Sequence, residues 1–393
     1  MAANAGQRWV SGWYAPPSRM LSTGLAGRTF RQLAHVHAGG QAIRLRLSNR
    51  YGDEPVTLAG ISVANSVQGP MVGKKSARLT FAEHTDVVLE PGAEKISGPV
   101  SMHVEPFNVL TISFELVKGD ALTGHLFASQ TSYISSTAAA TPVPAELAFV
   151  EYPLMRNSCW LITGLDVMLW TPLNAVVAFG SSTTDGLGST PNTNGRWPDY
   201  LAHRLKEAGG TQYMVVINAG LSGNQLTTSE NDSLSQLPGA NMPKFMFGEA
   251  GLHRYDWDLA SQPGATDLIL HIGSNDLRAG VKAVAIIEGY KQLVQTARKV
   301  YQKVFGTTIL PGGYTLEQSA QRQIVNDWIL EHGSRVFDAV FDVGTPLRAE
   351  MDTTKLDPAY DSGDGIHPNN DEYRLMADAI DIAKLSGSPL EGN

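Results

Sequence analysis

FGSSTTDG, Phe179–Gly186, is the stretch on which the reading of this chain turns. It closes a short unbroken apolar run, Ala175–Phe179, and sets two adjacent serines where a strand must bend into the helix expected over Trp197–Leu205. Four more apolar runs follow, at Met214–Asn218, Leu268–Ile272, Thr307–Leu310 and Val336–Val343, separated by longer segments of helical period. The clearest is VKAVAIIEGYKQLVQTARKVYQK, where Val284, Ile287, Leu293, Val294, Ala297 and Val300 predict one apolar stripe. Short runs that are apolar throughout, alternating with helices, imply a parallel sheet covered on both faces. In such a sheet ligands bind beyond the carboxyl ends of the strands.

Those ends carry the chemistry. The second run leads into VINAGLSGNQ and the third into LILHIGSNDL, and DSGDGIHPNN, before the last helix, supplies Asp364 and His367 three residues apart. A serine hydroxyl becomes a competent nucleophile when a histidine takes its proton, and the imidazole needs a carboxylate to hold its tautomer. A spacing of three is about one helical turn, which would place Asp364 and His367 against one groove. The oxyanion of an ester's tetrahedral intermediate needs fixed donors, and the Ser182 and Gly223 backbone N–H groups with the Asn275 side-chain amide are the candidates.

At these residues the chain resembles the SGNH hydrolases, the GDSL esterases and lipases. Their first block commonly reads FGDSITDG, and FGSSTTDG aligns with it without a gap, making Ser182 rather than Ser181 the nucleophile. GLSGN, GSND and DGIHP match the later blocks in the family's order through Gly223, Asn275, Asp364 and His367. The resemblance implies a flavodoxin-like three-layer α/β/α domain and a serine esterase with a Ser182–His367–Asp364 triad. Its oxyanion hole would be Ser182, Gly223 and Asn275, with no metal or organic cofactor. Ser181 replaces the aspartate that usually precedes the nucleophile, and as a bystander it would be a hydrogen-bonded turn hydroxyl.

The first part of the chain has another rhythm. In QAIRLRLSN, Ile43, Leu45 and Leu47 alternate with Arg44 and Arg46, and in NVLTISFEL so do Leu110, Ile112, Phe114 and Leu116 with their neighbours. Turn signals such as Gly39-Gly40, Pro91-Gly92 and Lys118-Gly119-Asp120 separate such segments from about residue 8 to about 150. The expected division is an all-β, sandwich- or jelly-roll-like accessory domain over 1–165 and the hydrolase domain over 166–393. The stretch TFRQLAHVHAGGQAIRLRLSNRYGDEPVTLAG is similar to the β module of a two-domain subgroup. That subgroup includes carbohydrate esterases, so the resemblance implies short acyl groups such as acetyl on a sugar or other small alcohol. A decayed glycan-binding protein and an acyltransferase with the same triad stay open as alternatives.

Composition narrows the field. With 393 residues, 42% hydrophobic and 17% charged, the chain is of ordinary globular type and long enough for two domains. A net charge of -8 argues against binding nucleic acid through the bulk field. The single cysteine, Cys159, excludes an intrachain disulfide and a thiolate zinc site. His35, His37, His103 and His125 lack the accompanying ligands of a zinc site and are expected to be ordinary strand or surface residues. His271 is expected in the core, Trp197 and Tyr200 packed on the sheet, and RYDWD, Arg254–Asp258, in a solvated loop. MAANAGQRWVSGWYAPP lacks the pattern of a signal peptide and no window reaches membrane-span length, so the expectation is a cytoplasmic protein or a secreted one whose signal has been removed. Oligomeric state is not legible.

Overall fold

The computed structural model describes residues 8–135, 154–229 and 243–389. It divides into two units, Met1–Thr171 and Pro172–Asn393. Residues 1–7 and 136–153, which the expected β domain includes, lie outside the described residues.

Among the described residues the first unit is built of antiparallel strands. One sheet runs Arg8–Tyr14, Ile162–Leu169, Gly40–Ser48, Glu94–Ile96, with Val100–Val104 also paired to Gly40–Ser48. A second runs Leu154–Arg156, Ser132–Ile134, Arg28–His35, Val109–Lys118, Val56–Gln68, Met71–Arg78. Ile162–Leu169 lies between two strands of the first sheet, and the division between units falls two residues beyond its end. The alternation read from sequence sets the core: Ile43, Leu45, Leu47, Leu110, Ile112, Phe114 and Leu116 are all buried. Phe114 stacks on its cross-strand partner Phe30 at 4.9 Å.

The opposite face of Gly40–Ser48 is covered too, which simple alternation did not anticipate. Arg44 and Arg46 both pair with the fully buried Asp166, at 2.9 and 3.1 Å. Their guanidinium groups lie over the rings of Trp9 and Tyr14 at 4.4 and 5.1 Å. A carboxylate buried without charge partners would cost several kcal/mol, so the two arginines belong inside with it.

The second unit carries one five-stranded parallel sheet: β1 (Ala175–Gly180), β2 (Val215–Gly220), β3 (Ala265–His271), β4 (Lys303–Thr307) and β5 (Ala339–Phe341). Its spatial order is β2-β1-β3-β4-β5. Every residue of β1 and β2 is buried, as expected of strands covered on both faces. The order reverses between β1 and β3, so right-handed crossovers send the helices that follow them to opposite faces. This is the flavodoxin-like three-layer α/β/α arrangement, and the switch point lies where FGSSTTDG ends β1.

The helices are α1 (Ser182–Asp185), α2 (Trp197–Ala208), α3 (Ser274–Arg278), α4 (Ala283–Ala297), α5 (Leu316–His332) and α6 (Asn370–Asp378). α2 packs with α6 and α4 with α5. α5 starts on a reciprocal cap, Thr315 with Gln318, and the Asn369 side chain accepts from the first N–H groups of α6.

Three local expectations shift. The fourth strand is Lys303–Thr307 rather than Thr307–Leu310, because after Thr308 the chain leaves the sheet and the Ile309 N–H is donated to the Asn326 side chain at 2.8 Å. The fifth keeps only Ala339–Phe341 of its apolar run, since Gly333–Arg335 forms a 3-10 turn and Phe337 packs inward. On α4 the buried stripe is Ile286, Tyr290, Leu293, Val294 and Ala297, while Val284 faces solvent and Val300, also exposed, lies beyond the helix's end. Tyr290 sets that phase, because its hydroxyl donates to the Ile272 carbonyl just beyond β3. Among the described residues no helix is long and apolar enough to cross a membrane.

Candidate active site

β1 ends at Gly180, where only a glycine fits: a Cβ would stand 2.1 Å from the Thr184 hydroxyl and 2.4 Å from the His271 carbonyl. The chain then turns into α1, with the Ser181 carbonyl accepting from the Thr184 and Asp185 N–H groups at 3.0 and 2.9 Å. Ser182 opens that turn. Ser181 is 1% exposed and its hydroxyl makes no capping hydrogen bond, so it is buried filler rather than the hydrogen-bonded turn hydroxyl expected.

Asp364 and His367 arrive on the segment between β5 and α6. They lie in an irregular loop rather than on a helical turn, and an Asx turn does the folding. One Asp364 oxygen accepts from the Ile366 and His367 backbone N–H groups at 2.9 and 2.8 Å. The other lies 2.6 Å from His367 Nδ1. On the far side of the imidazole, Nε2 is 2.9 Å from Ser182 Oγ. The loop is tied beneath by Asp361, which accepts from the Gly363 and Gly365 N–H groups at 2.8 and 3.0 Å. Partial burial pushes the Asp364 carboxyl up, but the His367 ring and the two backbone donors outweigh it and hold the group well below the usual carboxylate range. Asp364 is therefore an anion at neutral pH.

Gly223 follows β2, at φ 80°, where a Cβ would stand 2.1 Å from the Phe247 ring. Asn275 lies in the first turn of α3, after β3. Ser182, Gly223 and Asn275 thus follow the ends of three adjacent strands. One Asn275 amide hydrogen is committed to the Asn224 carbonyl at 2.9 Å, which fixes the amide plane and leaves the second hydrogen for another acceptor.

Sequence reasoning missed the groups that hold these loops. Asp185, in the TTDG of the first block, accepts from the Ser222 N–H and hydroxyl at 3.0 and 2.6 Å, immediately before Gly223. Asp276, in GSND, accepts from the Leu226 and Thr227 N–H groups at 2.7 and 2.9 Å. Burial raises the Asp276 carboxyl, against the pull of these donors. The signal was present: Asp276 adjoins Asn275 and Asp185 lies three residues after Ser182 in the same block, yet blocks are read for chemistry and these two hold loops in place.

RYDWD corrects the expectation most. Arg254 is 2% exposed and Asp258 also 2%, in a π-helical turn over Tyr255–Leu259. The Arg254 guanidinium pairs with Asp258, donates to Asn224 Oδ1 at 2.8 Å and to the Ala219 carbonyl at 3.0 Å, and lies 4.8 Å from the Phe179 ring centroid. Asp256 and Trp257 stay exposed as expected, but Arg254 and Asp258 form a buried brace, because the carboxylate and guanidinium satisfy each other.

Trp197 is buried and donates from Nε1 to the Thr184 hydroxyl at 3.3 Å. Tyr200 is only half-buried and lies under the Arg374 guanidinium of α6. His271 is in the core at 2.8 Å from the Thr307 hydroxyl, and burial drops its pKa to about 4. Below the loop, Glu372 is 0% exposed and neither carboxyl oxygen has a hydrogen-bond partner. Burial first, then the charges of Asp361 and Asp357, push its pKa up to about 8.

Comparison with known proteins gives one family and a set of solved structures. Residues 178–375 match the model of the GDSL-like lipase/acylhydrolase family, half of the chain. A G-D-S-L-family protein from Desulfitobacterium hafniense DCB-2 is 22% identical over 52% of this chain and 97% of its own, with a TM-score of 0.38. The psychrotrophic esterase EstA of Pseudoalteromonas sp. is 17% identical over 52% and 93%, with a TM-score of 0.38. A member of the lipolytic protein G-D-S-L family from Veillonella parvula DSM 2008 is 16% identical over 52% and 94%, with a TM-score of 0.35. No curated protein matches. The family match spans all four blocks, from the end of β1 to α6, and so the chain belongs to the GDSL-like lipase/acylhydrolase family, the SGNH hydrolases, as a carboxylic ester hydrolase.

Proposed function

We propose that Ser182, His367 and Asp364 are the catalytic triad and that hydrolysis runs through an acyl-enzyme. The observation that carries this reading is the pair of short contacts, 2.9 Å from Ser182 Oγ to His367 Nε2 and 2.6 Å from His367 Nδ1 to Asp364. Asp364, anionic and anchored by two backbone N–H groups, accepts from Nδ1–H and so leaves Nε2 as the base. His367 takes the Ser182 proton as Oγ attacks the ester carbonyl, then gives it to the departing alkoxide. Water repeats the sequence and frees the acid. The Ser182 and Gly223 N–H groups and the second Asn275 amide hydrogen receive the oxyanion. The acyl group is short, such as acetyl, on a sugar or other small alcohol, and residues 1–165 form an accessory β domain.

An alkyl fluorophosphonate tests the nucleophile. Mass spectrometry is expected to find one adduct, on Ser182. An adduct on Ser181, or none at saturating reagent, would sink the assignment. Asn275→Ala is expected to lower kcat about 10²-fold, roughly 2.7 kcal/mol of transition-state stabilisation, with KM little changed. Equal kcat values for the two proteins would remove Asn275 from the oxyanion hole.

A further inference from the structure

One buried side chain touches the ends of both strands that lead into the site. Phe179 and Ala219 are register partners on β1 and β2, one residue before the Gly180–Gly220 pair from which the Ser182 and Gly223 loops depart. The Arg254 guanidinium lies 4.8 Å from the Phe179 ring centroid, and its Nη2 donates to the Ala219 carbonyl at 3.0 Å. Nη1 donates to Asn224 Oδ1 at 2.8 Å, and Nε pairs with Asp258. We infer that Arg254 is the positioning residue of the oxyanion hole, acting through Asn224 on both Gly223 and Asn275, a role that rests on the triad and oxyanion donors proposed above.

Asn224 is the hub. It is 1% exposed, and its backbone N–H closes a turn on the Leu221 carbonyl at 3.1 Å, with Gly223 between them at φ 80°. The orientation of the Gly223 N–H is therefore set by where Asn224 sits. The Asn224 carbonyl accepts from Asn275 Nδ2 at 2.9 Å and so fixes the plane in which the second amide hydrogen points. On the side chain, Nδ2 donates to the Phe247 and Glu249 carbonyls at 2.9 and 2.6 Å, and Oδ1 accepts from Arg254. Arg254 thus ties the hub to the strand pair, whereas the other two bonds reach the 3-10 turn Lys244–Phe247 and its exit. If that tie slackens, two of the three proposed donors shift together.

The side chain suits this task. A guanidinium is planar and presents its donors as a rigid fork, so it holds several elements at fixed angles, whereas an ammonium is a point donor on a flexible stem. Stability alone does not account for the pair with Asp258, because apolar residues of like volume in place of a buried ion pair are often neutral or stabilising. Arg254 is 2% exposed and its charge is met by Asp258, so it acts on geometry and not by touching substrate. Geometry is costly to lose: oxyanion donors work at about 2.7–3.1 Å, and a misplacement of about 1 Å costs on the order of 10²-fold.

A double-mutant cycle on 4-nitrophenyl acetate tests the role. Arg254→Lys keeps a charge for Asp258 and loses the fork, and it is expected to lower kcat about 30-fold with KM little changed. In an Asn275→Ala background the same substitution is expected to cost only about threefold, because one of the donors it displaces is already gone. An Arg254→Lys protein within threefold of wild type overturns the proposal. So does an equal loss in both backgrounds, since general loosening of the fold would act alike in each. Should Arg254→Lys fail to fold, Arg254→Met with Asp258→Leu removes the pair without leaving a lone buried charge. That double variant is expected to fold and to lose kcat about 30-fold. A kcat within threefold of wild type rejects the positioning role, and failure of this variant to fold as well assigns the pair to stability and rejects it too. Failure of the triad reading looks different, because Ser182→Ala and Asn275→Ala would then match wild type whatever Arg254→Lys does.

Discussion

Ser182→Ala is expected to lower kcat on 4-nitrophenyl acetate by about 10⁴- to 10⁶-fold, equivalent to about 5–8 kcal/mol, with KM and melting temperature nearly unchanged. The size follows from losing the covalent route rather than one contact, since His367 and Asp364 have no other function in the step once the hydroxyl is gone. Folding should be indifferent: the substitution removes one oxygen at the mouth of the site and leaves the α1 backbone bonds, with Gly186 N–H donating to the Ser182 carbonyl at 2.8 Å, intact. Ser181→Ala is the internal contrast, expected within about threefold of wild type because its hydroxyl caps nothing. Steady-state assays of the two variants side by side settle the register of FGSSTTDG. Comparable losses in both, or a Ser182→Ala protein within tenfold of wild type, would reject Ser182 as nucleophile.

Glu372→Gln is expected to be more stable than wild type at alkaline pH by as much as about 5 kcal/mol and to match it near pH 4.5. In the folded protein this carboxyl titrates at about 8, against an ordinary 4.5, because it is buried and faces Asp361 and Asp357. Between those values the folded chain keeps the proton while the unfolded chain releases it. Stability present below pH 4.5 is therefore lost progressively as pH rises, and the loss is complete above pH 8. Glutamine copies the shape of the protonated acid and cannot ionise, so its stability should be free of this slope. Melting temperatures across pH 4.5 to 9 give the answer: a wild-type curve that falls away from a flatter variant curve is the expected result, and two parallel curves would show that Glu372 does not titrate in this window.

These two residues also mark what sequence can and cannot reveal. Ser182, the proposed nucleophile, stands out in the sequence because that role would require particular residue types in a particular order, and the blocks FGSSTTDG, GLSGN and GSND follow the ends of strands that the 2-1-3-4-5 sheet sets side by side. The alternation of Ile43, Leu45 and Leu47 was legible for a similar reason, since a period of two has one structural meaning. Glu372 was not legible, because a Glu in the first turn of a helix is normally a solvated partner of the dipole, and only the fold puts this one against Asp361. Arg254 and Asp258 look solvated for the same reason: charge within a sequence carries no record of whether its partner is water or Asn224. The phase of α4 and the position of β4 depended on Tyr290 and Asn326, two polar groups that find backbone partners across the fold. Composition and periodicity weigh such residues as breaks in a pattern, whereas in the structure they set its register.

The hydrogen bond between His367 and Ser182 joins residues 185 positions apart, and that separation is also an interval of time. A ribosome adding 5–20 residues per second exposes the proposed nucleophile roughly 10 to 40 seconds before its base. Through that interval Ser182 is an ordinary alcohol. On the proposed triad, a nascent chain therefore meets esters and electrophiles without a reactive serine, and a message cut short anywhere before codon 367 yields a protein that has the proposed nucleophile and lacks its proposed base.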